Sequence, residues 1–279
     1  MMFAWLRHNR GGKRASDQPG PAPAKPRRDR ALEIAIARNR IAVHFQPQIE
    51  LATGQVSGVE ALARWEGAKS PEELFARAAA TGQSERLSRL IQRKALRMVG
   101  KWTGPLAGLR VSINLLAEDL TRPGYERWLL DEIAAAGLKP EHVTAEITEN
   151  GLLADQPAAA ARLAMLRAAG VRIAVDDFGT GYCSLAYLTS LPLDTLKIDR
   201  GLIADIVGGS RDRIVVKAMI RLARELELSV VVEGVESSAQ LNLLAEWGCD
   251  LYQGFLGAAA LDEAALASFV AGTHAAAAA

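Results

Sequence analysis

The sequence predicts an α/β fold, a TIM-like (β/α)8 barrel with an irregular start, and three observations carry that reading. Eight short, mostly apolar runs recur from residue 41 onward. Amphipathic helical patterns separate most of them, and strands alternating with helices imply a largely parallel sheet. The roughly 240 residues they occupy match the ordinary size of such a barrel.

Taken in order, the runs 41-IAVHFQPQ-48 and 56-VSGVEALARW-65 come first, with no helical pattern between them. They are expected to pair as a hairpin, which makes the barrel irregular at its opening. A helix is expected over 84-SERLSRLIQRKALRMVGKW-102, followed by strands at 109–115 and 143–148. The stretch 155-DQPAAAARLAMLRAAG-170 reads as a helix closed by Gly170, as a C-terminal glycine cap would close it. Strands at 171–177 and 194–199 precede a helix over 211-RDRIVVKAMIRLARELEL-228, where Ile214, Val215, Ala218, Met219 and Leu222 form the expected core stripe. Strands at 229–234 and 250–255 complete the set. Near-continuous apolar strands imply that both faces of the sheet are covered. A doubly wound open sheet is the alternative, weakened by the lack of a G-x-G-x-x-G turn after a strand and of a P-loop.

The 279 residues are 49% hydrophobic and 23% charged, enough for a large conventional core. The opening 1-MMFAWL-6 is too short to span a bilayer, and it lacks the pattern of a secretory leader. Two cysteines, Cys183 and Cys249, provide neither a disulfide framework nor a metal-binding pair, so a reducing cytoplasm is the expected location. Residues 1–30 hold eight basic side chains against Asp17 and Asp29, a net +6 within a chain of net charge +1. That Gly- and Pro-rich stretch is expected to be a disordered basic tail that keeps the protein in solution or touches anionic surfaces. The barrel domain is expected over 31–270, with an alanine-rich tail at 271–279.

The chemistry lies where the strands end. The run 171-VRIAVDD-177 goes straight from apolar residues into two adjacent carboxylates, and buried carboxylates need a partner or a cation. The other runs contain or close on Glu60, Asn114, Glu146, Lys197, Glu233 and Gln253. In a barrel these ends converge on one face, where active sites sit. Carboxylates with one amide oxygen form an all-oxygen ligand set suited to Mg2+ or Mn2+, and the four histidines, His8, His44, His142 and His274, are not spaced as ligand pairs. Asp176 and Asp177 suit a two-metal site, one carboxylate bridging while the other holds the second ion, and such a site serves displacement at phosphorus. Lys197 could then hold a hydrolytic water, Glu233 could take its proton, and Glu149 in 146-EITE-149 could support the loop after Asp177.

Each residue also has a plainer reading. The two aspartates could form a solvated turn, Glu60 could be a strand-edge charge, and Lys197 could pair with Asp199 on the surface. Asn114 could cap a helix, and Gln253 before Gly254 could be turn chemistry. Independent surface accidents do not all fall at strand ends, so the set favours a site.

The motifs 60-EALAR-64, 46-QPQ-48, 113-INL-115, 146-EITE-149, 176-DDFGTGY-182, 196-LKIDR-200, 233-EGVE-236 and 253-QGF-255 resemble those of the EAL-domain cyclic di-GMP phosphodiesterases of bacteria. The resemblance covers about residues 31–262 in the family's order. It implies a barrel with one antiparallel strand and hydrolysis of cyclic di-GMP to linear pGpG. By matching motif, Glu60, Asn114, Glu146 and Asp176 would hold one metal, and Asp176 with Asp177 the second. Lys197 would position the attacking water, Glu233 would act as base or water-mediated ligand, and Glu149 would brace 178-FGTGY-182. Arg64 would contact phosphate, Gln46 would lie on the substrate side, and Gln253 would complete the site. A homodimer formed near 178–185 is also implied.

Four departures bear on substrate grip: the short 66-EGAK-69 loop, Ala79 in place of a glutamate, Leu116 and Cys183 in place of serines, and Ala259 and Ala260 in place of a basic residue and proline. They motivate a second reading, a cyclic di-GMP-binding sensor or protein-interaction module with little turnover. Nucleic-acid binding through the tail is a third, without a reading module to make it sequence-specific. The length leaves no room for a separate sensory or cyclase domain, so a stand-alone catalytic unit is expected.

Overall fold

Eight strands close on themselves in sequence order, β1 through β8, with β1 hydrogen-bonded to both β2 and β8. The computed structural model describes residues 28–148, 156–179, 185–209 and 211–277. Helix α1 (Arg30–Ala37) is followed by β1 (Ala42–Glu50) and β2 (Val56–Arg64), and then by α2 (Pro71–Ala80) and α3 (Ser84–Val99). Next come β3 (Arg110–Leu115), α4 (Ala117–Thr121), α5 (Tyr125–Ala135) and β4 (Val143–Thr148), then α6 (Gln156–Ala168) and β5 (Arg172–Phe178). The chain continues through α7 (Leu185–Ser190), β6 (Thr195–Ile198), α8 (Arg200–Ile203) and α9 (Arg211–Glu225). It ends with β7 (Ser229–Val232), α10 (Ser238–Trp247), β8 (Leu251–Tyr252) and α11 (Glu263–Ala277).

The expected opening hairpin is present: β1 runs antiparallel to β2 and also to β8, while every other neighbouring pair is parallel. Closure excludes the open doubly wound alternative. Strand β4 shows why the runs read as continuous, since Val143, Ala145 and Ile147 are buried together with Thr144 and Glu146. Burial on alternate residues of both parities means that one face packs on helices and the other fills the barrel.

Three details differ from expectation. The fold starts before residue 31: the Asp29 carboxylate caps α1 by accepting from the Leu32 amide at 3.1 Å and pairs with Arg77 of α2 at 2.6 Å. At the other end, α11 runs into the alanine-rich stretch as far as Ala277. In α9 the buried stripe is Val216, Met219, Ile220 and Ala223, whereas Ile214 and Val215 are 71% and 44% exposed. That segment carries two overlapping apolar stripes, and only docking against the sheet decides which one faces the core. The residue-only periodicity could not make that choice.

Candidate active site

Every strand of the barrel brings a polar residue to one end of it. Gln46 of β1 lies directly opposite Glu60 of β2, and Asn114 of β3 lies beside Glu146 of β4. Glu60, Glu146, Asp176, Lys197 and Gln253 are all buried, against the strong tendency of such side chains to stay in water. The surface readings of these residues therefore fail on geometry.

Lys197 sits at the centre and is fully buried. Its Nζ donates to Glu146 at 2.8 Å and Glu60 at 3.5 Å, and lies 3.1 Å from Asp176 and 2.7 Å from Glu233. Asp199, the rival surface partner, instead caps α8 by accepting from the Gly201 amide at 2.8 Å. Burial opposes the ammonium charge, but Asp176, Glu146, Glu233 and Glu60 together raise the Lys197 pKa well above that of an ordinary lysine.

Glu60 and Glu146 respond to this environment in opposite directions. Burial pushes both up, yet the Lys197 charge and hydrogen bonds from Gln253 and Asn114 hold Glu60 below its ordinary value. Gln253 Nε2 donates to Glu60 at 2.6 Å and to Gln46 at 3.0 Å, while Asn114 Nδ2 donates to Glu60 at 2.9 Å. Glu146 has Lys197 but no such amides, and burial together with the nearby Glu60 and Asp176 charges raises its pKa well above the ordinary value. Burial, with Lys197 opposing and Asp176 and Glu60 adding, pushes Glu233 up to about 8. Burial and the Asp176 charge push Asp177 up to about 6.

The paired aspartates are placed by a break in the sheet. Adjacent residues of a regular strand point to opposite faces, so two neighbours could not share a site. Between Val175 and Phe178 the β5–β6 register shifts: Val175 pairs with Leu196 and Phe178 with Ile198, three steps on one strand against two on the other. Asp177 takes a left-handed φ of +55°, a region rarely used by residues other than glycine, Asn and Asp. Its amide donates to the Asp176 carboxylate at 2.9 Å. This bulge turns both carboxylates to the barrel end, as bulges next to sites re-aim side chains. The strand also runs one residue further than expected, through buried Phe178.

The donor set suits divalent cations. Ligand atoms of Glu60, Glu146 and Asp176 lie within 4.8 Å of one another, as do those of Asp176, Asp177 and Glu233, so Asp176 is common to both groups. Five carboxylates against one ammonium leave a charge of −4 when all are ionised, which two divalent ions would neutralise. Gln253 Oε1 is buried with no hydrogen-bond partner among the described residues.

Arg64 ends β2 on the same strand face as Glu60, four residues on, and lines an open cavity of about 710 Å3 with Arg40, Trp65 and Lys69. The short 66–69 loop forms part of that wall and is held by Arg77, whose guanidinium lies 4.7 Å over Trp65 and donates to the Gly67 carbonyl. Gln46 Nε2 donates to the Ala258 carbonyl at 3.1 Å, tying the altered 257–260 segment to β1. Glu149, most of the 178–182 loop and Cys183 lie outside the described residues. A further buried polar set, absent from the expected site residues, is Ser88 and Gln92 on α3 with Asp119 and Tyr125, and it adjoins Asn114. Its signal was polar residues four apart in the apolar stripe of 84–102. Among the described residues, no helix is long and apolar enough to cross a membrane.

The EAL domain family model matches residues 29–260. The cyclic di-GMP phosphodiesterase NbdA of Pseudomonas aeruginosa is 39% identical over 246 residues, covering 86% of this chain and 31% of NbdA. A solved PaMucR phosphodiesterase in complex with c-di-GMP superposes with a TM-score of 0.79 at 35% identity, covering 84% of this chain and 97% of that one. Klebsiella pneumoniae BlrP1, solved as a manganese and cyclic di-GMP complex, gives a TM-score of 0.72 at 34% identity, over 79% of this chain and 56% of BlrP1. The chain spans about a third of the length of the curated relatives it matches.

Proposed function

The chain belongs to the EAL domain family, and from that premise we propose that it hydrolyses cyclic di-GMP to linear pGpG at the barrel end described above. The observation that carries this reading is the intact acidic set, two carboxylate groups sharing Asp176 around a buried lysine. Relatives solved or named with this substrate support it.

Glu60, Asn114, Glu146 and Asp176 would hold one Mg2+ or Mn2+, and Asp176 with Asp177 a second, with Glu233 nearby. Bound there, the two ions would offset charge on the entering and leaving oxygens at phosphorus. The chain's own residues do the rest. Glu233, whose carboxylate lies within 4.8 Å of those of Asp176 and Asp177, takes a proton from the attacking water at a carboxylate oxygen. Lys197, held 2.7 Å from that carboxylate, orients the water and keeps a positive charge beside the reacting phosphate. Water oxygen bonds to phosphorus, one bridging P–O bond breaks, the departing ribose oxygen takes a proton from solvent, and Glu233 returns its own proton to solvent. Arg64 and the neighbouring Arg40 and Lys69 supply positive charge for the second phosphate at the rim of the site. Gln253 fixes Glu60 and Gln46 in place. Glu149 is proposed to brace the loop after Asp177, and the enzyme to work in the cytoplasm, with a homodimer formed near residues 178–185.

A sensor that binds without cutting is the second reading, motivated by the short 66–69 loop and Ala259–Ala260. Purified protein incubated with cyclic di-GMP and Mg2+ or Mn2+, with an EDTA control and products resolved by chromatography, separates the two. Cation-dependent pGpG supports the enzyme. Binding of cyclic di-GMP without product at saturating cation assigns the sensor.

A further inference from the structure

Gln92 of α3 is 1% exposed and uses both ends of its amide. Its Nε2 donates to the backbone carbonyl of Asn114 and to Ser88 Oγ, each at 2.9 Å. The Asn114 carbonyl, which can only accept, fixes the direction in which the amide faces, and Oε1 then accepts from the hydroxyl of fully buried Tyr125 at 3.0 Å. Ser88 Oγ in turn donates to Asp119 at 2.9 Å, and Asp119 accepts from the Leu116 amide at 3.1 Å. The network therefore grips the chain on both sides of Leu115, at Asn114 and at Leu116.

This grip comes where the sheet alone holds β3 least. The β2–β3 ladder stops at the Glu60–Ser112 pair, two residues short of Asn114, and beyond it only the β4 ladder continues. Asn114 must nonetheless hold its side chain firmly, since its Nδ2 donates to Glu60 Oε1 at 2.9 Å. A buried glutamine on a mostly apolar helix face is costly unless both ends are satisfied, and a leucine would fill the same space without that demand. We propose that Gln92, hydrogen-bonded to Tyr125, is a positioning residue that holds Asn114 in register for cation binding. The proposal rests on the ligand role given to Asn114 above.

Residues that orient metal ligands typically alter affinity or activity 10–100-fold when removed. Mn2+ binding to the full chain, measured by titration calorimetry without nucleotide, is the primary readout. Gln92→Leu is expected to weaken Mn2+ binding about 10–100-fold and to lower kcat while leaving KM for cyclic di-GMP within about twofold. Tyr125→Phe is expected to produce a smaller shift in the same direction. Leu87→Ala, a core truncation on the same helix outside the network, lowers thermal stability as a control and should leave Mn2+ affinity unchanged. Unchanged affinity in Gln92→Leu, or an equal loss in Leu87→Ala at matched stability, would overturn the proposal and leave the proposed hydrolysis standing. A wild-type chain that binds no Mn2+ would sink the ligand role of Asn114 and this inference with it. Weakened Mn2+ binding in Gln92→Leu, in a wild-type protein that makes no pGpG, would support the inference and reject the proposed reaction instead.

Discussion

Replacing Lys197 with methionine keeps the buried stem and removes the one ammonium facing four carboxylates. At an effective dielectric near 20, each contact of this length is worth on the order of 5 kcal/mol in Coulomb terms. Most of that is offset, because a buried ammonium forfeits several kcal/mol of hydration and the carboxylates can escape by taking up protons. Breaking a buried ionic set by removing one partner typically costs about 3–5 kcal/mol, and we expect that loss for Lys197→Met in cation-free protein. In a domain of this size it corresponds to a fall of roughly 6–20 °C in unfolding midpoint. The assay is urea unfolding in EDTA at pH 8 and again at pH 6. The deficit should be larger at pH 8, where Glu233 and Asp177 are more fully charged, and added Mg2+ should recover more stability in the variant than in the wild type. A loss under about 1 kcal/mol, or the same loss at both pH values, would refute the electrostatic account.

Other outcomes follow from the same geometry. Cation-free wild type should lose stability as pH rises from 6 to 8: Glu233 and Asp177 have folded pKa values above their ordinary ones, so the folded state binds more protons than the unfolded state across that window. Scanning fluorimetry in EDTA checks this, and a midpoint that climbs from pH 6 to 8 counts against it. Cation affinity should rise over the same interval, by up to about tenfold per pH unit for each proton released, as titration calorimetry at several pH values would reveal. Asp177→Val forces a β-branched residue into φ +55° and should destabilise by about 1–2 kcal/mol, whereas Asp177→Asn should retain stability and lose cation affinity. Equal urea midpoints for the two variants would remove the backbone argument. Gln253→Leu takes a donor from Glu60, whose pKa is held below its ordinary value, and should cost about 1.5–3 kcal/mol in the same measurement.

The strand order and the converging ends were legible because period and composition report burial directly. Glu60, Glu146 and Lys197 stood out for the same reason, being charges where apolar residues belong. The bulge at Asp176–Asp177 was not legible, since a doubled aspartate reads equally well as a turn and only cross-strand pairing exposes the skipped register. Periodicity alone does not phase the α9 stripe, because Ile214 and Val215 are as apolar as Val216 and Met219 and neighbouring elements choose between them. Ser88 and Gln92 are legible only as polar residues four apart in an apolar stripe; the carbonyl that Gln92 touches lies 22 residues away, which that spacing does not reveal.

The seam of the barrel carries a last consequence, for how the chain acquires its site. Gln253 reaches Glu60 across 193 residues of sequence, and β8, only two residues long, is what joins β7 to β1. A nascent chain still lacking residues 251–253 has every acidic ligand already made, yet neither the second amide on Glu60, that of Gln253, nor a closed wall around it. High-affinity cation capture should therefore appear as one of the last events of synthesis, and divalent ions should act on the finished barrel as a clasp on one of its long-range contacts.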